Sequence, residues 1–481
     1  MKEVKPNTNI LLVDKAVAGW IEENRKKDNK EQDKRKTRQR PYHYDNIVLL
    51  WHYLSTQETR ELKGRDGEWV KTPLKVLDKL GLDHTKARAL KQEMKAAGLA
   101  EWYETKRASL QQHYMKPLYT DELVEYELTF KDGRQLLAGF TEDERACEIL
   151  RRHMDNSISI DKDKAVEFLD EQRQKEKEWL DDEANTPDEI ELIIPSDRKE
   201  WKQWNKYRKK DKGLYLKWWL EKEKTNYNRN RMLVDAIYNS TGTVTRDNKG
   251  RRLHSPFTTL DRRLRRFITI EGEATETLDI SHFHPTLIAN EIIRAGKKDD
   301  GLLDDCLNNN FYNKIAIEVE AGGEILGEWK LPPYYDDVRV SPRDRAKDAV
   351  MSYLNGEGSN RPTNPERRAV RIAMLKHYPN VERYISAQKE ELAKEVEQIN
   401  KTNTQQRTTV GKLYSQKLQR MESNLYIDTF YQTLAGIEDI PSFTIHDSIT
   451  VAKSQRQKAR TIMARLAHQQ ELRAADDDGE L

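Results

Sequence analysis

Residues 276–293 read ETLDISHFHPTLIANEII. Thr277 to Ile280 is β-prone and half apolar, so the stretch delivers Asp279 to the end of a short strand. Leu287, Ile288 and Ile292 then recur at helical intervals. A strand, a carboxylate and a helix in that order aim an anion into a cleft.

Two later segments extend this pattern. Residues 341–358, SPRDRAKDAVMSYLNGEG, start a helix at Pro342. Arg343, Lys347 and Met351 are spaced four apart and share one face of that helix. Two cations on one helical face suit a triphosphate, which Arg grips as a fork and Lys as a point charge. Residues 440–454, IPSFTIHDSITVAKS, read as a β-hairpin with Asp447 at its turn. An aspartate flanked by apolar strands is costly unless it is paired or bound to a cation. Two aspartates from distant segments with a cationic helix between them are the minimum set for in-line nucleotidyl transfer. In that reaction Mg²⁺ ions stabilise the attacking and leaving oxygens, each needing only one or two protein carboxylates.

The rest of the chain sets bounds. The 481 residues imply several domains. A hydrophobic fraction of 36% and a charged fraction of 35% require helices with broad solvated faces. Net charge is only +2, so any nucleic-acid footprint comes from local clustering. Cys147 and Cys306 are too few for a disulfide framework or a zinc module. No apolar leader or bilayer-spanning run appears, and a cytoplasmic, membrane-free protein, monomeric by default, is expected. There is no phosphate-cradling glycine loop of the Walker type.

Residues 1–42 read as a charged N-terminal arm, because 22–42 are almost entirely polar. Residues 43–135 read as a small domain. It has a helix over 46–54, a second around Leu74, Leu77 and Leu80, and a third after an Asp83 N-cap, ending at Gly98. LAEWY (99–103) and VEYELTF (124–130) follow as strands around a polar loop. That order resembles a winged helix, whose third helix enters the major groove; Lys86, Arg88 and Lys91 are its candidate DNA contacts. The same module also serves protein contacts. Residues 136–240 read as a helical, basic-aromatic region, thumb-like or linker. In it Trp201, Trp204, Tyr207, Trp218 and Trp219 alternate with Lys and Arg, as a strand-tracking groove or as one buried helix face. Residues 241–260 read as a hairpin turning at Asp247 to Gly250. After residue 453 a helix leads to a frayed acidic tail, AADDDGEL.

Order and spacing carry a resemblance. Residues 241–452 resemble the palm and fingers of family A DNA polymerases and of the single-subunit RNA polymerases of phages and mitochondria. GRRLHSPFTTL (250–260) is similar to their duplex-touching glycine-arginine segment. Asp279, Ser281 and Ala289 match their first catalytic motif. Arg343, Lys347, Met351 and Gly356 match their fingers helix, and LQRMESNLY (418–426) their Gln-containing helix. His446 and Asp447 match their last motif. Asn355 departs from the pattern, standing where the family usually has Tyr; Tyr353 replaces it only with a shifted helix.

The resemblance implies an α+β right hand, with an antiparallel palm sheet and helical fingers behind the winged-helix-like and helical regions. It implies Asp279 and Asp447 as ligands of two Mg²⁺ ions, with Mn²⁺ as an alternative. Lys347 completes the catalytic set. Arg343, Lys347, Met351, Tyr353, Asn355, His284 and Arg266 are candidate nucleotide contacts. Arg251, Arg263, His446 and Gln419 are candidate nucleic-acid contacts. The expected partners are a DNA template and nucleoside triphosphates. Met351 and the Ser after His-Asp lean toward RNA or primer synthesis; the glycine-arginine segment leans toward dNTPs. His284, where the DNA enzymes carry a Glu that excludes a 2′-hydroxyl, leaves the sugar open. A non-catalytic DNA-binding replication initiator is the other reading of the winged-helix-like front.

Overall fold

The computed structural model describes residues 10–32, 44–57, 59–61, 68–72, 77, 80, 82, 84–105, 112–118, 122–127, 144–181, 212–321, 342–356, 364–402, 408–476 and 479–480. The chain divides into two units. One comprises Met1–Glu178, Lys206–Thr245 and His254–Ala274; the other comprises Trp179–Asn205, Arg246–Leu253 and Thr275–Leu481.

In the first unit, residues 10–32 are not a free arm. The apolar run Ile10–Asp14 is a strand paired antiparallel with Leu123–Glu127, and helix Lys15–Gln32 follows it. Leu11, Val13, Val17 and Ile21 are buried in the same core as Trp51 and Leu90. Apolar side chains at strand and then helical spacing outweigh the charge of the residues after them. The helix expected over 46–54 runs over Tyr44–Thr56. The next described helix, His84–Ala96, buries Ala87, Leu90 and Met94. It ends at Gly98, left-handed at φ +68, where the Leu99 N–H donates to the Met94 carbonyl at 2.8 Å. Leu74 and Asp83 lie outside the described residues, as do Trp201, Trp204 and Tyr207 and the side chains of Trp218 and Trp219.

Two expectations for this unit are corrected. Lys91, placed on an open basic face, is only 3% exposed and sits over the Trp102 ring at 5.6 Å; its stem covers apolar surface while its charge meets the ring. LAEWY does not pair with VEYELTF. Strand Ala100–Thr105 pairs with Gln112–Pro117, on the edge of a four-stranded antiparallel sheet, and Leu123–Glu127 goes to the N-terminal strand. Farther along, Ile158–Ile160 pairs with Ile268–Ile270, and all four isoleucines point inward. The turn after them, Glu271-Gly272, has φ +54 and +83, as a two-residue hairpin requires.

The second unit contains the three informative segments. Residues 275–279 pair with Ser448–Ala452, which pairs in turn with Ser442–Ile445. Helix Phe283–Arg294 follows Asp279. The helices Pro342–Leu354, Pro365–His377 and Pro379–Thr402 each begin on proline, whose missing N–H costs nothing in a first turn. They pack around Ile315, Val350, Tyr353, Val370, Tyr378 and Ile385. The acidic tail is anchored at its start rather than frayed there. Ala474, Ala475 and Asp476 are buried, Arg460 grips Asp476 through two bonds of 2.8 and 3.2 Å, and the Ser281 N–H donates to the Ala475 carbonyl at 2.8 Å. Among the described residues no helix is long and apolar enough to cross a membrane.

Helix Val410–Ser423 packs its second residue against the end of Pro342–Leu354. A Cβ on Gly411 would lie 2.2 Å from the Asn355 carbonyl oxygen. Gly411→Ala is therefore expected to cost about 1–3 kcal/mol of stability. Urea denaturation followed by tryptophan fluorescence checks this, and an unchanged midpoint contradicts the close approach.

Candidate active site

Strand register brings the two aspartates together. Asp279 ends its strand opposite Ser448, so Asp447 is next to its cross-strand partner. Asp447 itself lies in a two-residue turn closed by the Ile445–Ser448 pair, and both aspartates are exposed. Beneath them is Tyr426, fully buried on the π-helix Asn424–Tyr431, whose hydroxyl accepts the Ile280 N–H at 2.6 Å. Burial first, and then the charges of Asp447 and Asp279, push the Tyr426 phenol well above its ordinary value. One hydroxyl thus feels both carboxylates, and it stays a neutral floor under them.

The cationic helix faces the same region. Arg345, Ala346, Ala349, Val350, Tyr353 and Leu354 are buried and Met351 packs against the same core, which leaves Arg343 and Lys347 on the other side. Arg343 lies over the Tyr312 ring at 5.8 Å and donates from Nη2 to Asn309 at 2.7 Å. The Tyr312 phenol is raised chiefly by burial; Cys306, Asp447 and Asp348 add to this and Arg343 opposes it. His282 stacks on Tyr312 with centroids 4.5 Å apart, and neither of its buried ring nitrogens has a partner among the described residues. Burial, then Arg343 and Lys347, push its pKa down to about 4. Asp279, Asp447, His282, Tyr312, Arg343 and Lys347 therefore form one connected electrostatic set.

A second network lies along helix Val410–Ser423. Glu422, 1% exposed, takes two bonds of 2.7 Å from Arg252 and one of 2.9 Å from His284 Nε2. Burial raises the Glu422 carboxyl, but the bonds from His284 and Arg252 outweigh it and hold the group below the usual range. The same helix cradles the glycine-arginine turn. Ser423 donates to the Gly250 carbonyl at 3.0 Å, Arg420 to that of Lys249 at 2.7 Å, and a Cβ on Gly250 would lie 2.5 Å from Gln419 Oε1. Asp247 organises the turn by accepting the Lys249, Gly250 and Arg252 N–H groups at 2.6 to 2.9 Å.

Among the described residues nine non-glycine residues have a positive φ, and three of them fall on these segments. Arg251, His282 and His446 are non-glycine residues with φ of 63, 54 and 54. Each costs on the order of 1–3 kcal/mol and persists where surrounding structure holds it, as at functional sites.

The structure thus gathers Asp279, Asp447, Arg343 and Lys347, and places His284 and Gln419 on the Glu422 network. Arg251 and His446 are half-buried in the strained turns, Met351 is half-buried and Asn355 exposed. Tyr353 is buried, its hydroxyl donating to Glu382 at 3.4 Å on the core side of the helix. Arg263, Arg266, Lys86, Arg88 and Lys91 belong to the first unit. There Arg263 is paired with Asp261 at 2.8 Å, Arg266 stacks on Phe168 at 4.5 Å, and Arg88 is exposed. Tyr312 joins the site without a local sequence signal; His282 stands beside Asp279 in sequence, and Arg252, Glu422 and Tyr426 lie inside the motif-like stretches without being marked out there. Among the described residues no three His, Cys, Asp or Glu side chains gather as a metal cage. Two exposed carboxylates do fit Mg²⁺, which fills its remaining positions with water and phosphate oxygen.

No protein-family model matches the chain, and no curated protein matches it. Among solved structures, the POL domain of Pol1 from M. smegmatis, in complex with DNA primer-template and dNTP, is similar at 13% identity. The match covers 69% of each chain with a TM-score of 0.39. A likeness this loose settles neither family nor function.

The low pKa of His282 makes stability pH-dependent. Its folded value of about 4 lies below the ordinary 6.5, so its contribution is full above pH 6.5 and is lost as pH falls toward 4. Over that window the wild type should lose up to roughly 3 kcal/mol more than His282→Gln. Parallel pH–stability curves for the two proteins contradict the burial of a neutral imidazole.

Proposed function

We propose that the chain is a template-directed nucleotidyltransferase, a polymerase or primase-polymerase acting on a DNA template. The observation that carries the reading is the register that sets Asp279 beside Asp447, in one electrostatic set with Arg343 and Lys347. Asp279 and Asp447 would hold Mg²⁺ ions, which when bound supply Lewis-acid stabilisation of the attacking and leaving oxygens. Arg343 and Lys347 hold the triphosphate and stabilise the charge that develops on the leaving pyrophosphate. The turn at Gly250 to Arg252, seated on helix Val410–Ser423, offers Arg251 and Gln419 to the template-primer backbone. His446, in the turn with Asp447, meets the primer end. Exposed Arg88 on helix His84–Ala96 gives the first unit a contact for duplex DNA.

The Glu422 network supports ribonucleotides as the substrate. An ionised carboxylate only accepts, so Nε2 of His284 carries the proton. The other ring nitrogen, Nδ1, can exchange a hydrogen bond with a 2′-hydroxyl, which both donates and accepts, and gains nothing from a 2′-deoxy sugar. Full-length protein is to be incubated with a single-stranded DNA template, with and without primer, Mg²⁺, and either NTPs or dNTPs. Wild type is expected to make product, preferentially from NTPs, and Asp279→Ala or Asp447→Ala to lower incorporation by at least ~10²-fold. No product from wild type under any condition, or undiminished product from Asp447→Ala, contradicts the proposal.

A further inference from the structure

The carboxyl end of the cationic helix is held in an unusual way. The last carbonyls of a helix lack intrahelical partners and are commonly met by water or a left-handed glycine. Here the Gly356 N–H reaches the Tyr353 carbonyl at 3.1 Å, and a lysine from another helix adds a charged donor. Lys389, on Pro379–Thr402, is 4% exposed and donates from Nζ to the Tyr353 carbonyl at 2.8 Å and the Gly356 carbonyl at 3.1 Å. Its ammonium also lies over the rings of Tyr353 and Tyr414, at 5.0 and 5.3 Å. Arg367 donates to Ser352 at 3.0 Å, and Gly411 abuts the Asn355 carbonyl. Glu382, buried on the same helix as Lys389, accepts from Arg371 at 2.7 Å, Ser386 at 3.0 Å and the Tyr353 hydroxyl at 3.4 Å.

A buried ammonium is an expensive way to fill space, and a Met or Leu would cover the same apolar rings at lower cost. What the ammonium adds is direction. It pins two carbonyls at one end of a rigid rod and places a cation where the helix dipole is negative. Lys347 and Arg343 lie ~10 and ~16 Å up that rod, so axial slip or tilt at the pinned end moves both together. We propose that Lys389 is a positioning residue: it fixes the cationic helix at the depth where Arg343 and Lys347 meet the triphosphate. The role rests on the nucleotidyltransferase reading of those two cations.

The clamp also has a pH range. Burial, then the nearby Arg367, lower the Lys389 pKa to about 8, against the raising effect of Glu382. The other facing groups are the Tyr353 and Tyr414 phenols, both raised chiefly by burial, so they stay neutral when Lys389 titrates. Above pH 8 the clamp keeps its weaker donors but loses its charge.

The test compares full-length wild type, Lys389→Met and Lys389→Arg. Binding of Mg²⁺-ATP and Mg²⁺-dATP is measured by calorimetry, and KM and kcat in the extension assay from pH 7 to 9.5. Lys389→Met is expected to weaken triphosphate binding and raise KM ~10-fold while kcat changes by less than ~3-fold. Lys389→Arg, which keeps its charge throughout, stays near wild type at pH 7 and shows no rise in KM above pH 8. The wild-type rise in KM above pH 8 disappears in Lys389→Met. A merely structural lesion would instead lower kcat through a smaller active fraction and leave KM alone. Unchanged binding and KM in Lys389→Met, or the same alkaline rise in both proteins, overturns the proposal. If wild type binds triphosphate but extends nothing, weaker binding by Lys389→Met still supports the clamp while the polymerase reading falls. If wild type binds no triphosphate, both fall.

Discussion

Two carboxylates at the same end of adjacent antiparallel strands repel one another. Register fixes that proximity: slipping either strand by one residue would turn every side chain to the other face and bury what is now exposed. Leu278, Ile449 and Val451 share one buried face, and that apolar pattern holds the strands with Asp279 opposite Ser448. The charge problem is then handled by leaving both aspartates exposed, by keeping the phenol below them neutral, and by bringing in the cationic helix.

The surrounding architecture serves that arrangement. Pro342–Leu354 is amphipathic: its apolar face and Arg345 are buried, which leaves Arg343 and Lys347 on the other face. Helix Val410–Ser423 and the π-helix after it reach the glycine-arginine turn, His284 and the strand end at Asp279. Gln419, Arg420, Glu422 and Ser423 hold the glycine-arginine turn, Glu422 orients His284, and Tyr426 underlies the aspartates. A π-helix widens the register by one residue per turn and is frequent at functional sites. Here it carries Tyr426, whose hydroxyl accepts the Ile280 N–H beneath the aspartates.

Elements whose period matched their environment were legible in the sequence. The strand ending at Asp279, the hairpin around Asp447 and the cationic helix all declared themselves through period-two or period-four spacing. Long-range polar pairing did not. Arg252 and Glu422 are separated by 170 positions, and no local pattern links a turn arginine to one particular glutamate. Lys389 stands in the charge-rich run QKEELAKEVEQ and reads as a solvated lysine; only the tertiary fold buries it. Lys91 misled for the same reason. The left-handed conformations of His282 and His446 were invisible because no glycine marks them. In the first unit, QHYMKP carries no clean alternation, so its strand was missed and VEYELTF was given its place. That Leu123–Glu127 pairs instead with the N-terminal strand follows from the apolar run ILLVD, which the charge of residues 22–42 overshadowed.

The central claim is that Asp279 and Asp447 act as one cation site although neither has a third carboxylate beside it among the described residues. Electron paramagnetic resonance of Mn²⁺ titrated into wild type, Asp279→Asn and Asp447→Asn, with a triphosphate present, measures this without any turnover. Each single substitution is predicted to remove the bound Mn²⁺ signal to a similar degree, because each takes away half of a shared ligand set. Mn²⁺ bound as tightly by either variant as by wild type would contradict the account.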